Sequence, residues 1–319
     1  MPLLTKSTYS PKLLFKNKHF NTIYSAFFNK TAVAFNRKRL ELEDGDFMDL
    51  DISSVNSDMA VILIHGLEGS TQSSYILSLT ALLNRHHYDV FAMNLRGCSG
   101  VPNRLLSSYH SGKTEDLDTI VQYIENQYVF KEISIVGFSL GGNMTLKYMG
   151  EIGVNSRIKS AIGVSVPCDL KGTTEQMNLI TNRLYLNNFL KTLKAKSFGK
   201  LQKFPNSFLT QKNIKAIQNF KDFDDIYTAP AHGFKNAEEY WLKSSCKQFI
   251  PNIKTPTLLL TALDDPFLTD TCYPVEEAKV NPYFFLEATS YGGHVGFISS
   301  FKSRLWSEYR ILAFLEHQK

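Results

Sequence analysis

The residue of this 319-residue chain with the clearest capacity for chemistry is Ser139, at the centre of a G-x-S-x-G pattern over residues 137–141. The pattern is short and also occurs in ordinary glycine-rich turns, so its surroundings decide its meaning. An apolar run at 133–136 predicts a strand before it, and a stretch with helical spacing follows it. Strand, sharp turn and helix form the elbow that exposes a nucleophilic serine at a helix N-terminus. We therefore predict that Ser139 is a catalytic nucleophile.

A serine hydroxyl is a weak nucleophile, so it needs a base, and the base needs a carboxylate that orients it. Three histidines follow Ser139 in the chain: His232, His294 and His317. His317 falls in the last turn of the predicted final helix, and His232 lies where the strand pattern is interrupted. His294 follows the last predicted strand with glycines on both sides, which suits a loop that packs closely on other backbone. His294 is therefore the predicted base.

Two adjacent aspartates compete for the role of the orienting acid. An apolar strand is predicted at 257–261, and Asp264 and Asp265 follow it directly. In elbow-type hydrolases the acid lies between the serine and the histidine in chain order. Asp265 precedes Pro266, which holds it in an extended conformation. We predict Asp265 as the triad acid. Asp264 is the alternative, and the aspartate that is not the acid is expected to cap a turn or support the site by a hydrogen bond.

Attack on an acyl carbon also requires N–H donors for the oxyanion that develops. One donor is expected from the residue after the nucleophile, the backbone N–H of Leu140. The other is expected from the loop after an early apolar strand, in the sequence HGLEG at 65–69. Leu67 follows the His-Gly pair of this loop, so its backbone N–H is the predicted second donor.

The elements that must position these residues alternate between strand and helix. Beyond a hairpin at 33–52, strands are predicted at 60–64, 90–95, 133–136, 161–165, 257–261 and 283–286, and helices at 74–84, 115–128, 139–149 and 306–317. This alternation predicts an α/β fold with a mostly parallel central sheet flanked by helices. We predict one domain over 1–319, with a helical cap or lid insertion at about 169–251. The alternative for the insertion is a helical excursion without a role.

Composition and charge exclude several classes of function. The net charge of +5 is scattered along the chain, unlike the basic stripe of nucleic-acid-binding proteins. The histidines and cysteines show no metal-ligand spacing, and no cofactor is predicted. Four distant cysteines without a CxxC pair indicate reduced thiols. Because neither a secretory signal nor a spanning segment is visible, we predict a cytoplasmic protein. The oligomeric state is not determined by the sequence.

Two lysine-rich segments raise the question of a membrane surface. Near the start, Lys6, Lys12, Lys16 and Lys18 lie among apolar residues. We predict a segment packed on the domain with its lysines facing water, and weak peripheral contact with a membrane is the alternative. The insertion carries five further lysines, for which a solvated face is predicted and a surface for anionic lipid is the alternative. They are Lys191, Lys194, Lys196, Lys200 and Lys203.

Taken together, these motifs resemble the YheT-like family of α/β-hydrolases along most of the sequence. The resemblance rests on HGLEGS at 65–70, NLRGCS at 94–99, YHSG at 109–112, GFSLGGN at 137–143, FDD at 223–225, TAP at 228–230, GF at 233–234, DDPF at 264–267 and GGHVGF at 292–297. Asn17, Lys18 and His19, with Thr22 and Ile23, are a weaker echo of the family's N-terminal segment. The family often has proline at the position of Lys18, so the docking of this segment is left open.

The resemblance implies an esterase- or lipase-like serine hydrolase with a Ser139, Asp265 and His294 triad. The substrates that it implies are short- to medium-chain acyl esters, acylglycerols or other lipid esters. Transfer of the acyl group to an alcohol is an alternative, because water and alcohol react with the same acyl-enzyme. A non-catalytic binding protein of the same fold is the third hypothesis, disfavoured because a complete set of triad residue types is present.

Overall fold

Nine strands form a single sheet in the computed structural model, which describes residues 3–4, 7–28, 31–155, 157–301 and 305–317. The strands are β1 (Leu3–Leu4), β2 (Asn36–Glu41), β3 (Phe47–Ser53), β4 (Met59–Ile64), β5 (Asp89–Asn94), β6 (Glu132–Phe138), β7 (Ile158–Val164), β8 (Thr257–Ala262) and β9 (Phe284–Thr289). Their order across the sheet is β1-β9-β8-β7-β6-β4-β5-β3-β2. Only the pairings of β3 with β2 and with β5 are antiparallel, so the sheet is mostly parallel as predicted.

Twelve α-helices accompany these strands in the described part of the chain. They are α1 (Lys18–Phe28), α2 (Ser74–Arg85), α3 (Thr114–Gln127), α4 (Leu140–Ile152), α5 (Leu170–Met177), α6 (Arg183–Lys203), α7 (Gln211–Ala216), α8 (Phe220–Phe223), α9 (Ala229–Ala231), α10 (Ala237–Ser244), α11 (Val275–Val280) and α12 (Trp306–His317). The hairpin, the six central strands and the four helices predicted from the sequence are all present, with ends shifted by a few residues. The strand β1 and the helices α1 and α11 were not predicted.

The central strands carry apolar side chains on both faces, which explains their continuous apolar runs. All six residues of β8 and five of the six residues of β4 are buried. Parallel sheets are normally covered on both sides, so both faces of each strand must be apolar. One layer over the sheet contains Leu117 of α3 and Met144 of α4, and the other contains Leu79 of α2 and Ile311 of α12. The core therefore lies in two layers, one on each face.

A separate apolar cluster holds together the helices between β7 and β8, here called the insertion (residues 169–251). Leu186, Leu190 and Leu193 of α6 pack there with Ile214 of α7. Phe267, from the loop after β8, joins the same cluster. The insertion thus has a core of its own that contacts the main domain close to the carboxyl end of β8. Among the described residues, none of the helices combines the length and the apolar character needed to cross a bilayer.

The lysine-rich segments are only partly solvated. Lys12 and Lys16 are exposed beside buried Phe15, as predicted, whereas Lys6 lies outside the described residues. In the insertion the prediction of a solvated face is wrong for Lys200, which is 8% exposed and donates to Asn103 Oδ1 at 2.5 Å. Lys196 is exposed as predicted, although its ammonium pairs with Glu68. Helix α6 therefore uses lysines to contact the main domain.

Candidate active site

Ser139 occupies a sharp turn between β6 and α4. Its backbone has φ 50° and ψ −117°, a conformation that side chains rarely adopt and that persists only when the surroundings impose it. A Cβ at Gly137 would lie 2.2 Å from the carbonyl oxygen of Gly141, and a Cβ at Gly141 would lie 2.5 Å from that of Ile64. Glycine is therefore required at both positions, because the strand and the helix approach each other too closely for any side chain.

His294 joins the serine to a carboxylate. The Nε2 atom of His294 is 2.9 Å from the Oγ of Ser139, and its Nδ1 is 2.8 Å from the Oδ2 of Asp265. The second oxygen of Asp265 accepts the backbone N–H of Phe267 at 2.9 Å. Because the carboxylate can only accept, the ring proton belongs on Nδ1, and Nε2 is left to accept the serine proton. The three residues therefore have the geometry of a serine, base and acid set.

The structure brings Asp265, and not Asp264, to the imidazole. Asp264 instead accepts the backbone N–H of Gly293 on Oδ1 at 2.9 Å. Its Oδ2 is buried without a hydrogen-bond partner among the described residues, and burial raises the pKa of Asp264 to about 6. Asp264 thus supports the loop that carries His294 by a hydrogen bond, which is one of the two roles expected for the aspartate that is not the acid.

The other downstream histidines lie elsewhere. The ring of His232 packs against that of His110, with centroids 4.6 Å apart, and His317 ends α12. Neither is among the hydrogen-bond partners of Ser139, whose described side-chain contact is with His294.

The predicted oxyanion donors lie on two sides of the serine. Leu140 is the first residue of α4, where backbone N–H groups have no acceptor within the helix. On the other side, a Cβ at Gly66 would lie 3.2 Å from the Cβ of Ser139, so the loop after β4 borders the nucleophile. In that loop the N–H groups of Gly66 and Glu68 donate to tyrosine hydroxyls at 3.0 and 3.1 Å. The N–H of Leu67 between them has no acceptor among the described residues and remains available.

The N-terminal helix α1 packs against the loop of His294 and forms hydrogen bonds with it, which the sequence did not predict. The backbone N–H of His294 donates to the Oγ1 of Thr22 at 2.8 Å. Buried Asn21 accepts the N–H of Ile298 at 3.1 Å. A Cβ at Gly293 would lie 2.5 Å from both the carbonyl oxygen of Lys18 and the hydroxyl of Thr22. The weak resemblance of residues 17–19 and 22–23 to the family's N-terminal segment was the sequence signal that could have indicated this contact.

The insertion contacts both sides of the site. On the oxyanion side, the ammonium of Lys196 lies 2.8 Å from the carboxylate of Glu68, which also accepts the hydroxyl of Tyr109 at 2.7 Å. On the base side, the ring of Phe267 lies 4.3 Å from that of His294. Leu67 and Phe267 both pack on the apolar cluster of the insertion. The insertion therefore supports the oxyanion loop directly and reaches the imidazole only through Phe267, a residue of the loop after β8.

Among the described residues, no group of three or more His, Cys, Asp or Glu side chains is arranged to hold a metal ion. All four cysteines are buried and free.

Comparison with known proteins agrees with this fold. A family model described as the alpha/beta hydrolase fold matches residues 59–301. The chain is 33% identical to "Putative esterase YheT" of Escherichia coli (strain K12) over 96% of this chain and 92% of that protein. It is 32% identical to "Monoacylglycerol lipase" of Saccharomyces cerevisiae over 83% of this chain and 61% of that protein. A solved esterase of Pyrococcus furiosus has the same fold, with a TM-score of 0.61 at 19% identity over 89% of this chain and 91% of that one.

The fold and the match over most of the chain define an α/β-hydrolase. Within that class the chain belongs to the YheT-like family, as the resemblance implied. It is an enzyme of the serine hydrolase type, and its reaction is the hydrolysis of esters.

Proposed function

We propose that this protein is a carboxylic ester hydrolase that works through an acyl-enzyme on Ser139. The single observation that supports this most is the chain of hydrogen bonds from Ser139 through His294 to Asp265, at 2.9 and 2.8 Å. These distances are within the range over which a base can take a proton. The preferred substrates are short- to medium-chain acyl esters or acylglycerol and related lipid esters, in line with the monoacylglycerol lipase among its relatives.

In the first half of the reaction, Ser139 Oγ attacks the acyl carbon while Nε2 of His294 takes the hydroxyl proton. The imidazolium that forms is stabilised by the buried carboxylate of Asp265, which also keeps the ring oriented. The negative charge on the acyl oxygen is held by the backbone N–H groups of Leu67 and Leu140. His294 then gives its proton to the alcohol oxygen, and the alcohol leaves.

In the second half, water enters and His294 takes one of its protons as the oxygen attacks the acyl carbon. The carboxylic acid leaves and the proton returns to Ser139. An alcohol can take the place of water in this step, and the product is then a new ester. The insertion acts as the lid of this site, a role supported by the contact of Lys196 with Glu68 of the oxyanion loop and by the packing of its apolar cluster on Phe267, whose ring lies against His294.

A fluorophosphonate probe tests the nucleophile directly. The wild-type protein is expected to be labelled stoichiometrically and to hydrolyse p-nitrophenyl esters, whereas Ser139→Ala is expected to lose both properties. Ser134→Ala is a control that is expected to keep labelling and activity, because that buried serine of β6 contacts Ser160 and not the histidine loop. Wild-type protein that is folded but neither labelled nor active would refute the proposal.

Hydrolysis rates for a series of p-nitrophenyl esters from acetate to palmitate, followed by monoacylglycerols, show which acyl chain lengths the site accepts. Repeating the best reaction with added ethanol or glycerol and counting new ester against free acid separates hydrolysis from acyl transfer.

A further inference from the structure

A cavity of about 280 Å³ lies where the insertion meets the main domain. We call it the seam cavity. The main domain contributes His110, Gly112, Lys113, Glu115 and Lys147, and the insertion contributes His232, Phe234, Lys243 and Ser244. Lys147 follows Ser139 by eight residues in α4, a rise of about 12 Å along the helix axis. The seam cavity is therefore distinct from the proposed catalytic site.

Two half-buried histidines supply uncharged donors to the seam cavity. The Nδ1 atom of His110 accepts the backbone N–H of Gly112 at 3.1 Å, so the proton of the neutral ring belongs on Nε2. The Nε2 atom of His232 is buried without a hydrogen-bond partner among the described residues. A buried polar atom left in this state is costly, which indicates a site completed by a partner from outside the chain.

Three lysines make the electrostatic field in the seam cavity positive. Burial, and to a smaller extent the charge of Lys113, lowers the pKa of His232 to about 4. Burial likewise holds the pKa of His110 well below its usual value, with Lys113 and Lys147 among the cations that add to this effect. Both rings are therefore neutral at pH 7, and the cations around them favour an anion as the missing partner.

The carboxylates nearby do not use up these lysines. Lys147 pairs with Glu151 at 2.5 Å, and Lys243 pairs with Glu239 at 2.7 Å. Each ammonium has three N–H donors, so a carboxylate leaves others available. The third lysine, Lys113, is 3.8 Å from Asp116, whose two oxygens already accept both arms of the Arg96 guanidinium at 2.8 and 2.7 Å. Glu115, the acidic residue of the lining, is exposed to solvent.

The seam cavity also accounts for those parts of two motifs that the catalytic site does not use. The segment YHSG at 109–112 supplies His110, and a Cβ at Gly112 would lie 2.5 Å from the Oγ of Ser244. The segment GF at 233–234 supplies Phe234, whose ring meets His110 edge-on at 5.4 Å. Beneath them, Asn143 donates to the carbonyl oxygens of Ser111 and Ser244 at 3.0 and 2.8 Å. The motifs thus build one defined junction between the insertion and the main domain.

We propose that the seam cavity binds a phosphate group, either inorganic phosphate or a small phosphomonoester. Lysine ammonium groups and imidazole N–H groups together are the donors that phosphate oxygens prefer. The volume lies near the lower limit of ligand pockets, about 300 Å³, which suits a small anion. A phosphate held there joins residues of α4 to the insertion, so it stabilises the closed arrangement of the two parts.

Calorimetric titration of the full-length protein at pH 7.5 and constant ionic strength tests the proposal with inorganic phosphate, glycerol phosphate and acetate. Phosphate is expected to bind at one site and to shift the side-chain ¹⁵N resonances of His110 and His232. Lys113→Met and Lys243→Met are each expected to raise the Kd roughly tenfold, because each removes a charge-assisted hydrogen bond. Lys254→Met is the matched control, since this exposed lysine is outside the cavity lining. Lys243 is 61% exposed, so its substitution leaves the fold intact.

The outcomes separate clearly. Tighter binding of glycerol phosphate assigns the site to a phosphomonoester, and tighter binding of inorganic phosphate assigns it to the free ion. The proposal is overturned if neither ligand saturates, if acetate binds equally well, or if both lysine variants bind phosphate like the wild type. Esterase activity without added phosphate is measured in parallel; its absence would contradict the proposed function and not the phosphate site, because the lining contains none of the proposed catalytic residues.

Discussion

Replacement of each of the two adjacent aspartates by asparagine separates their roles. In Asp265→Asn the new side chain lies between the N–H of Phe267 and the Nδ1 of His294, which the native carboxylate contacts at 2.9 and 2.8 Å. The amide oxygen can accept from Phe267, and the NH₂ group then faces Nδ1. An NH₂ group can only donate, so Nδ1 must become the acceptor and the ring proton moves to Nε2. That nitrogen can then no longer accept the proton of Ser139.

We expect Asp265→Asn to lower kcat by about four orders of magnitude, the size of the effect when a triad histidine is held in the wrong tautomer. The expected change in KM is small, because the substitution alters proton transfer and leaves the acyl site as it is. Asp264→Asn keeps an oxygen that can accept from Gly293, at a contact of 2.9 Å in the native protein. Its kcat is therefore expected to stay within about fivefold of the wild-type value.

The assay is steady-state hydrolysis of p-nitrophenyl butyrate, with circular dichroism melting as the check that both variants are folded. Fluorophosphonate labelling should slow in Asp265→Asn and remain fast in Asp264→Asn. The reasoning would be refuted by the reverse pattern, in which the Asp264 variant is inactive and the Asp265 variant nearly normal.

Three further predictions follow from contacts outside the triad. Thr22→Val leaves the N–H of His294 without its acceptor and should lower kcat about tenfold, whereas Thr22→Ser should retain activity. Equal activity of the two variants would exclude a role for this contact of α1. Lys196→Met removes the partner of Glu68 beside the oxyanion loop and should lower kcat several-fold with little change in KM, and Lys196→Arg should restore it. Burial raises the pKa of Asp224 to about 7, so the folded wild type loses stability as pH rises from about 4 to 7. Urea unfolding at several pH values measures this loss, which is expected to be on the order of 3 kcal/mol in the wild type and absent in Asp224→Asn. Parallel pH profiles of the two proteins would contradict the prediction.

Much of the fold could be predicted because its signals are local. The buried strands appear as continuous apolar runs, and the helices appear as apolar residues spaced three and four apart. The elbow at Ser139 is recognisable because strand, glycine-rich turn and helix are contiguous in the chain. The candidates His294 and Asp265 followed from their positions after predicted strands, since the carboxyl ends of parallel strands meet at one edge of the sheet.

The structure was needed wherever a contact joins distant parts of the chain. Proline favoured Asp265 over Asp264, but only the folded loop shows which carboxylate reaches the ring. The sequence of α6 shows no clear apolar face, so the contacts of its lysines with the main domain could not be inferred. Lys196 and Lys200 reach partners more than ninety residues away.

By itself, the sequence determined the fold class, the candidate nucleophile and the order of its expected partners, because these depend on residue type and on short-range spacing. The tertiary structure decided how the partners are held. Thr22 and His294 are 272 positions apart, and no local pattern records that the hydroxyl of one accepts the N–H of the other. Such long-range hydrogen bonds form only after the sheet has brought the two ends of the chain together, and they determine whether a serine, a histidine and an aspartate become one catalytic unit.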